Sequence, residues 1–154
     1  MRVIDQVDRV LLQTLQRDGR TPFTQIAKQT GVSEATIRSR YQSLVEDGII
    51  RTVGMVDPYA LGYQAPALLN LRVQPDKIDE IAQKIAAFPE VRYLANTLGS
   101  IDLNVEVFCH DLAHLTELVK GRIHIIEGVR TVEILMIARS YKLTYVWSPS
   151  YGGE

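Results

Sequence analysis

The stretch from Phe23 to Ile50, FTQIAKQTGVSEATIRSRYQSLVEDGII, constrains this chain more than any other. Its periodicity predicts two short helices around a sharp turn. Phe23, Ile26 and Ala27 keep the i, i+3, i+4 spacing of a half-buried helix. Thr30-Gly31 ends it, because glycine tolerates the left-handed conformation that closes a helix. Val32 plugs the turn, and Ser33 offers a hydroxyl to cap the next helix. That helix is expected to bury Ile37, Tyr41 and Leu44 and to stop before Gly48, with Ile49 and Ile50 returning to the core. Small Ala27, the turn at Gly31 and Ile37 six residues on have the spacing of a helix-turn-helix.

What the second helix leaves outside is a set of short hydrogen-bonding groups and two arginines. Ser33, Ala35, Thr36, Arg38, Ser39, Arg40 and Gln42 are the candidate contacts to base edges and phosphates in a major groove of double-stranded DNA. The acids Glu46 and Asp47 wait until the last turn. Between residues 20 and 45 the cations Arg20, Lys28, Arg38 and Arg40 stand against Glu34 alone, in a chain whose net charge is −1. A helical hairpin with a merely solvated outer face is the plain alternative, and the turn chemistry and local charge favour the helix-turn-helix.

A chain of 154 residues, 46% hydrophobic and 23% charged, can bury a core in one domain or two. No apolar run approaches the length of a membrane span, and the start Met1-Arg2-Val3-Ile4-Asp5 has no signal-peptide character. Cys109 is the only cysteine, so an intrachain disulfide is impossible and a reducing cytoplasm is expected. With so balanced a charge, nucleic-acid binding has to come from a local patch, presented twice or more by an oligomer.

Asp5 or Asp8 can cap a first helix carrying Val7, Leu11, Leu12 and Leu15 as far as Asp18-Gly19. Pro22 suits the start of the next. After the second helix of the motif, Ile50 to Val56 reads as a strand, the wing of a winged helix-turn-helix, with Arg51 placed to reach a phosphate. The segment from Asp57 to Pro66 holds two prolines and a glycine and is expected to be the boundary. The expected organisation is a DNA-binding domain at 1–58, a linker at 59–66, a second domain at 67–147 and an unstructured tail at 148–154.

The second domain has a β-α-β-β-α-β rhythm. Strands are expected from Ala67 to Gln74, Val91 to Leu98, Ile101 to Phe108 and Val129 to Ala138, with a further one from Tyr141 to Trp147. Helices carry Ile78, Ile81, Ala82, Ile85 and Phe88, then Leu112, Leu115, Leu118 and Val119 behind an Asp111 cap. Two helices on one face of a four-stranded sheet leave the other face open. That face is expected to show Leu68, Leu94, Phe108, Leu135 and Ile137 among Asn70, Arg72 and Asn96, too apolar for a monomer. A homodimer is expected, which would also place two recognition helices on a dyad.

From about Ile4 to Lys142 the chain resembles the Lrp/AsnC (feast/famine) family of transcription regulators. The matching runs are IDQVDRVLLQTLQRDGR at 4–20, IAKQTGVSEATIRSR at 26–40, LVEDGIIRTVGMVDPYALG at 44–62, FPEVRYLANTLGSIDLNVEV at 88–107 and EGVRTVEILM at 127–136. The resemblance implies an α+β protein: a winged helix-turn-helix followed by a ferredoxin-like effector domain, the regulation-of-amino-acid-metabolism (RAM) domain. It implies homodimers assembling into tetramers or octamers, with an amino-acid effector bound near the turn between the second and third strands. The family's Gly-Asp-aromatic-Asp is here Gly99-Ser100-Ile101-Asp102. Asp102 is the candidate anchor for the effector's ammonium, the backbone near Gly99 for its carboxylate, with Ser100, Ile101 and Thr131 lining the same cleft. A plain hairpin turn is the alternative for these residues.

Two rivals come from other classes. Siroheme decarboxylases share the architecture but carry a histidine-asparagine-tyrosine run on the second strand of the second domain. Here that stretch is Arg92-Tyr93-Leu94-Ala95-Asn96, without a histidine. An amino-acid-sensing module for a protein partner would leave Arg38 and Arg40 unexplained. Cys109, His110 and His114 offer only three ligands across a strand end and a helix start, and His124 stands alone, so no catalytic residue, metal or cofactor is expected.

Overall fold

A computed structural model describes residues 3–142. The chain divides into two compact units, one built on residues up to Met55 and one from Val56 to Tyr141. The first holds three helices, α1 (Gln6–Arg17), α2 (Phe23–Thr30) and α3 (Glu34–Glu46). Of the two acids that could cap α1, Asp5 does so, accepting from the Asp8 N–H at 2.9 Å. Asp8 is buried instead. Gly31 takes the left-handed conformation at φ 73° after α2. Ser33 caps α3 through the Thr36 N–H at 3.1 Å. Leu11, Leu12, Leu15, Ile26, Ala27, Ile37 and Leu44 form the core of this unit, with Phe23, Val32, Tyr41 and Ile50 packed on its edge.

The expected wing strand is not formed. Residues 50–56 make no ladder, and those from Arg51 to Val56 are exposed. A strand exists only through hydrogen bonds to a neighbour, and this segment has none among the described residues. What ties it down is local: Tyr41 Oη shares a hydrogen bond with Thr52 Oγ1 at 3.0 Å, and Thr52 packs against Gly19.

The second unit runs β1 (Ala65–Val73), α4 (Ile78–Ala86, entered through a 3-10 turn at Pro75–Lys77), β2 (Val91–Asn96), β3 (Leu103–Cys109), α5 (Leu112–Thr116) and β4 (Val129–Met136). Its sheet has the order β2-β3-β1-β4, antiparallel throughout. This is the ferredoxin-like arrangement. β1 begins two residues before the expected Ala67, because a turn at Pro58–Gly62 already reverses the chain and Gln64 donates to the His110 carbonyl. Odd-numbered residues of β1 and β3, from Ala65 to Val73 and from Leu103 to Cys109, point into a core closed by Ile81 and Ile85 of α4 and by Leu115, Leu118, Val119 and Ile123. The alternation in β3 is that expected from period two.

Two expectations here need correction. Leu112 is exposed, not part of the buried stripe. Beyond Thr116 the helix widens to a π-helical stretch, Glu117–Ile123, in which His124 N bonds the Val119 carbonyl five residues back. The wider turn brings Ile123 into the core and leaves Arg122 at its margin. Leu94 also faces the core, and Asn96 shares its side of β2 opposite Leu103. The register slips between Val91 and Tyr93, and a bulge inverts which residues face outward. Tyr93 and Ala95 therefore occupy the open face. The expected strand from Tyr141 to Trp147 and the tail at 148–154 lie outside the described residues, save Tyr141 and Lys142, which are not in a strand. Among the described residues no helix is long and apolar enough to cross a membrane.

Candidate nucleic-acid interface and effector site

The outer face of α3 is built by its cap and by pairs along the helix. Ser33 Oγ lies 2.8 Å from Thr36 Oγ1, so both hydroxyls are held at the start of the helix. Arg38 is exposed and bonds Glu34 one turn back at 2.8 Å, with its guanidinium 5.4 Å above the Phe23 ring. Gln42 bonds Glu46 in the same way at 3.2 Å. Ala35 and Ser39 are exposed between these pairs and line two shallow clefts, one on each side of the helix. Exposed i, i+4 pairs are weak, so Arg38 and Gln42 can exchange these partners for DNA at little cost. Arg51 is exposed on the extended segment that follows.

Arg40 is placed differently from Arg38. Its Nη1 bonds Asp5 Oδ2 at 2.6 Å and Asp8 Oδ1 at 3.1 Å, fastening α3 to the start of α1. The Asp8 N–H and the Arg40 guanidinium hold Asp5 below its ordinary carboxylate range, and the two acids raise Arg40 further. The sequence reading treated the two arginines alike. Nothing local separates them, since the acids that engage Arg40 lie 32 and 35 residues earlier.

In the second unit the open sheet face is ordered in transverse rows. Phe108, Pro66 and Ile137 form the first, Ile137 N bonding the Pro66 carbonyl. Glu106, Leu68 and Leu135 form the second. The third is Asn104, Asn70 and Glu133, linked in series at 2.9 and 2.8 Å. The face thus grades from apolar to polar along β1. At its polar end stand the residues of the expected effector cleft. Asp102 N bonds the Leu71 carbonyl, and Asp102 Oδ2 accepts from Val73 N–H at 2.8 Å, extending the β3–β1 ladder by a side chain. Thr97 Oγ1 bonds the Ile101 carbonyl at 2.6 Å and braces the turn that carries Gly99 and Ser100, both exposed. Thr131 pairs with Arg72 from the opposite side. The fold therefore brings Asp102 and Thr131 to the two flanks of one residue, Arg72, which sequence reasoning placed only among the polar neighbours of the face.

The Cys109, His110 and His114 cluster is drawn into a different network. His114 Nδ1 accepts from the His110 N–H at 3.3 Å, which leaves Nε2 to donate to Glu90 at 3.0 Å. Arg122 bonds the same Glu90 oxygen at 2.7 Å and stacks on Phe88 at 4.2 Å. Burial pushes Glu90 upward, but its own backbone amide, His114 and Arg122 outweigh that and hold it below the usual range. Burial pushes the Cys109 thiol up to about 11, so it is not a nucleophile at neutral pH. Among the described residues no three His, Cys, Asp or Glu side chains converge as metal ligands.

Comparison with known proteins agrees with this geometry. Residues 4–45 match the AsnC-type helix-turn-helix domain, and residues 66–147 match the Lrp/AsnC ligand binding domain. The HTH-type transcriptional regulator LrpA of Pyrococcus horikoshii is 34% identical over 131 residues, covering 84% of this chain and 93% of that protein. An HTH-type transcriptional regulator of Pyrococcus furiosus is 32% identical over 144 residues, covering 93% of this chain and 97% of its own length. Among solved structures, AsnC of E. coli superposes with a TM-score of 0.88 at 25% identity, covering 94% of this chain and 99% of that one. A transcriptional regulator of Neisseria meningitidis, solved as its L-methionine complex, has the same fold, with a TM-score of 0.86 at 20% identity over 93% and 95% of the two chains. With both of its halves matched in order, and relatives of this identity along nearly its whole length, the chain belongs to the Lrp/AsnC family of transcriptional regulators.

Proposed function

We propose that this regulator reads DNA through the exposed face of α3 and senses an amino acid at the polar end of the sheet. The observation that carries the DNA reading is the outer face of α3, where Ala35 and Ser39 are open and Arg38 is held only by an exposed pair. Ser39 is suited to a base-edge hydrogen bond and Ala35 to a thymine methyl, while Arg38, Gln42, Ser33, Thr36 and Arg51 take base or phosphate oxygens. Arg40 serves to brace α3. The chain works as a homo-oligomer: a second copy covers Leu68, Phe108, Leu135 and Ile137, and a dyad places two α3 helices about 34 Å apart or a multiple of it. Acting on chromosomal DNA, it belongs in the cytoplasm. The RAM-type domain holds the effector at Gly99, Ser100, Ile101, Asp102 and Thr131, and the L-methionine bound by the Neisseria regulator supports the amino-acid class. No catalytic step is assigned to it.

Mobility-shift assays with fragments upstream of the chain's own gene test this reading, with each common amino acid added in turn. Specific shifts that change with one amino acid are expected. Absence of any sequence preference, at any amino acid, would refute it.

A further inference from the structure

The row at the polar end of the open face has a composition that the effector reading does not by itself require. Register places Asp102 of the turn before β3, Arg72 of β1 and Thr131 of β4 side by side: Leu71 pairs with Leu103, so Arg72 falls opposite Asp102, and Arg72 pairs with Thr131. Neighbours across an antiparallel ladder lie about 4.5–5.5 Å apart. One oxygen of Asp102 is committed to Val73 N–H, and the other has no partner among the described residues. Arg72 is exposed and makes no hydrogen bond or ion pair among the described residues. The nearest acid on β4, Glu133, is bonded to Asn70, which is bonded in turn to Asn104. That chain of bonds keeps Glu133 from closing on Arg72 and gives the row a fixed neighbour.

We infer that Arg72 is the carboxylate anchor of the effector site, so that the site takes α-amino acids with a free carboxylate. This rests on the reading of the Asp102 row as an effector site. An α-amino acid carries an ammonium and a carboxylate on one carbon, and a site selective for it needs a fixed anion beside a fixed cation. The row supplies both at adjacent positions, with the Thr131 hydroxyl alongside. Guanidinium meets carboxylate with two parallel N–H donors, which a backbone turn at Gly99 and Ser100 cannot match in charge. The bulge between Arg72 and Val73 ends the regular pairing with β4 at this point, and bulges re-aim side chains at sheet ends.

The test uses the full chain, the twenty common L-amino acids and the primary α-amide of each, which keeps the ammonium and removes the carboxylate charge. For wild type, calorimetry is expected to show the best-binding amino acid about ten- to a hundredfold tighter than its amide. Arg72→Gln should weaken the amino acid to the level of the amide and leave the amide unchanged, with the oligomer intact by light scattering and DNA affinity without effector unaltered. Arg72→Lys should recover part of the preference. A preference that survives in Arg72→Gln would overturn the assignment. So would dissociation of the oligomer by Arg72→Gln, which would make Arg72 an interface residue. If no amino acid binds wild type at all, the effector reading of the row fails, and this inference with it.

Discussion

Replacing Arg40 with methionine keeps the aliphatic stem and removes the guanidinium that joins α3 to α1. Asp8 has only 2% of its side chain accessible, Arg40 has 30% and Asp5 48%. The bond to Asp5 is half-exposed and worth at most about 1 kcal/mol. Removing the partner of a fully buried carboxylate costs about 3–5 kcal/mol, and the water that reaches Arg40 lowers that figure. The two together put the loss at about 2–3 kcal/mol, or roughly 10–20 °C in the unfolding midpoint of a unit this small. The pH dependence has a definite sign. Asp5 lies below its ordinary value of 3.8 in the folded state, so its share of the stability is present at neutral pH and is lost as pH falls below about 4. The gap between wild type and Arg40→Met should narrow there. The decisive assay is the salt dependence of binding to a 30-base-pair duplex of arbitrary sequence, followed by fluorescence anisotropy at neutral pH. A brace contributes no counterion release, so Arg40→Met should bind more weakly with the slope of log Kobs against log salt unchanged. Arg38→Ala, losing a phosphate contact, should reduce the slope by about 0.9. A similar reduction in Arg40→Met, with stability unaltered, would refute the reasoning and return Arg40 to the DNA.

Replacing Leu135 with aspartate puts an unpaired charge where a second copy is expected, and light scattering should show a smaller oligomer or an unfolded chain; an unaltered oligomer would count against the open face as the interface. Asp102→Asn keeps an oxygen for the Val73 N–H but removes the charge, so the chain should fold and bind DNA while its amino-acid affinity falls about ten- to a hundredfold by calorimetry. The buried Cys109 should resist iodoacetamide at pH 8 and react only after denaturation, as mass spectrometry would show.

Much of the molecule was legible before any coordinates, and the reason is locality. The Ser33 cap, the left-handed Gly31, the buried stripe of Ile26, Ala27, Ile37 and Leu44, and the alternation of Leu103, Val105 and Val107 depend on residues within a turn or two of one another. Periodicity and capping report such interactions directly. The same logic overreached at Ile50 to Val56, where strand-forming residues have no ladder among the described residues. It also missed the bulge before Tyr93, because one slipped residue reverses the facing of Leu94 without changing the composition of the strand.

The candidate sites divide along the same line. The sequence by itself determined that α3 would carry an exposed polar face with two arginines, and that Gly99 to Asp102 would form a turn between strands. Only the tertiary structure decided that Arg40 turns to Asp5 and Asp8 while Arg38 stays on the surface. Likewise, only the sheet register put Arg72 between Asp102 and Thr131, residues 30 and 59 positions further along the chain. Helical periodicity carries information over a few residues. Which distant side chains share a row is set by how strands pair, and that pairing is fixed by the packing of the whole core.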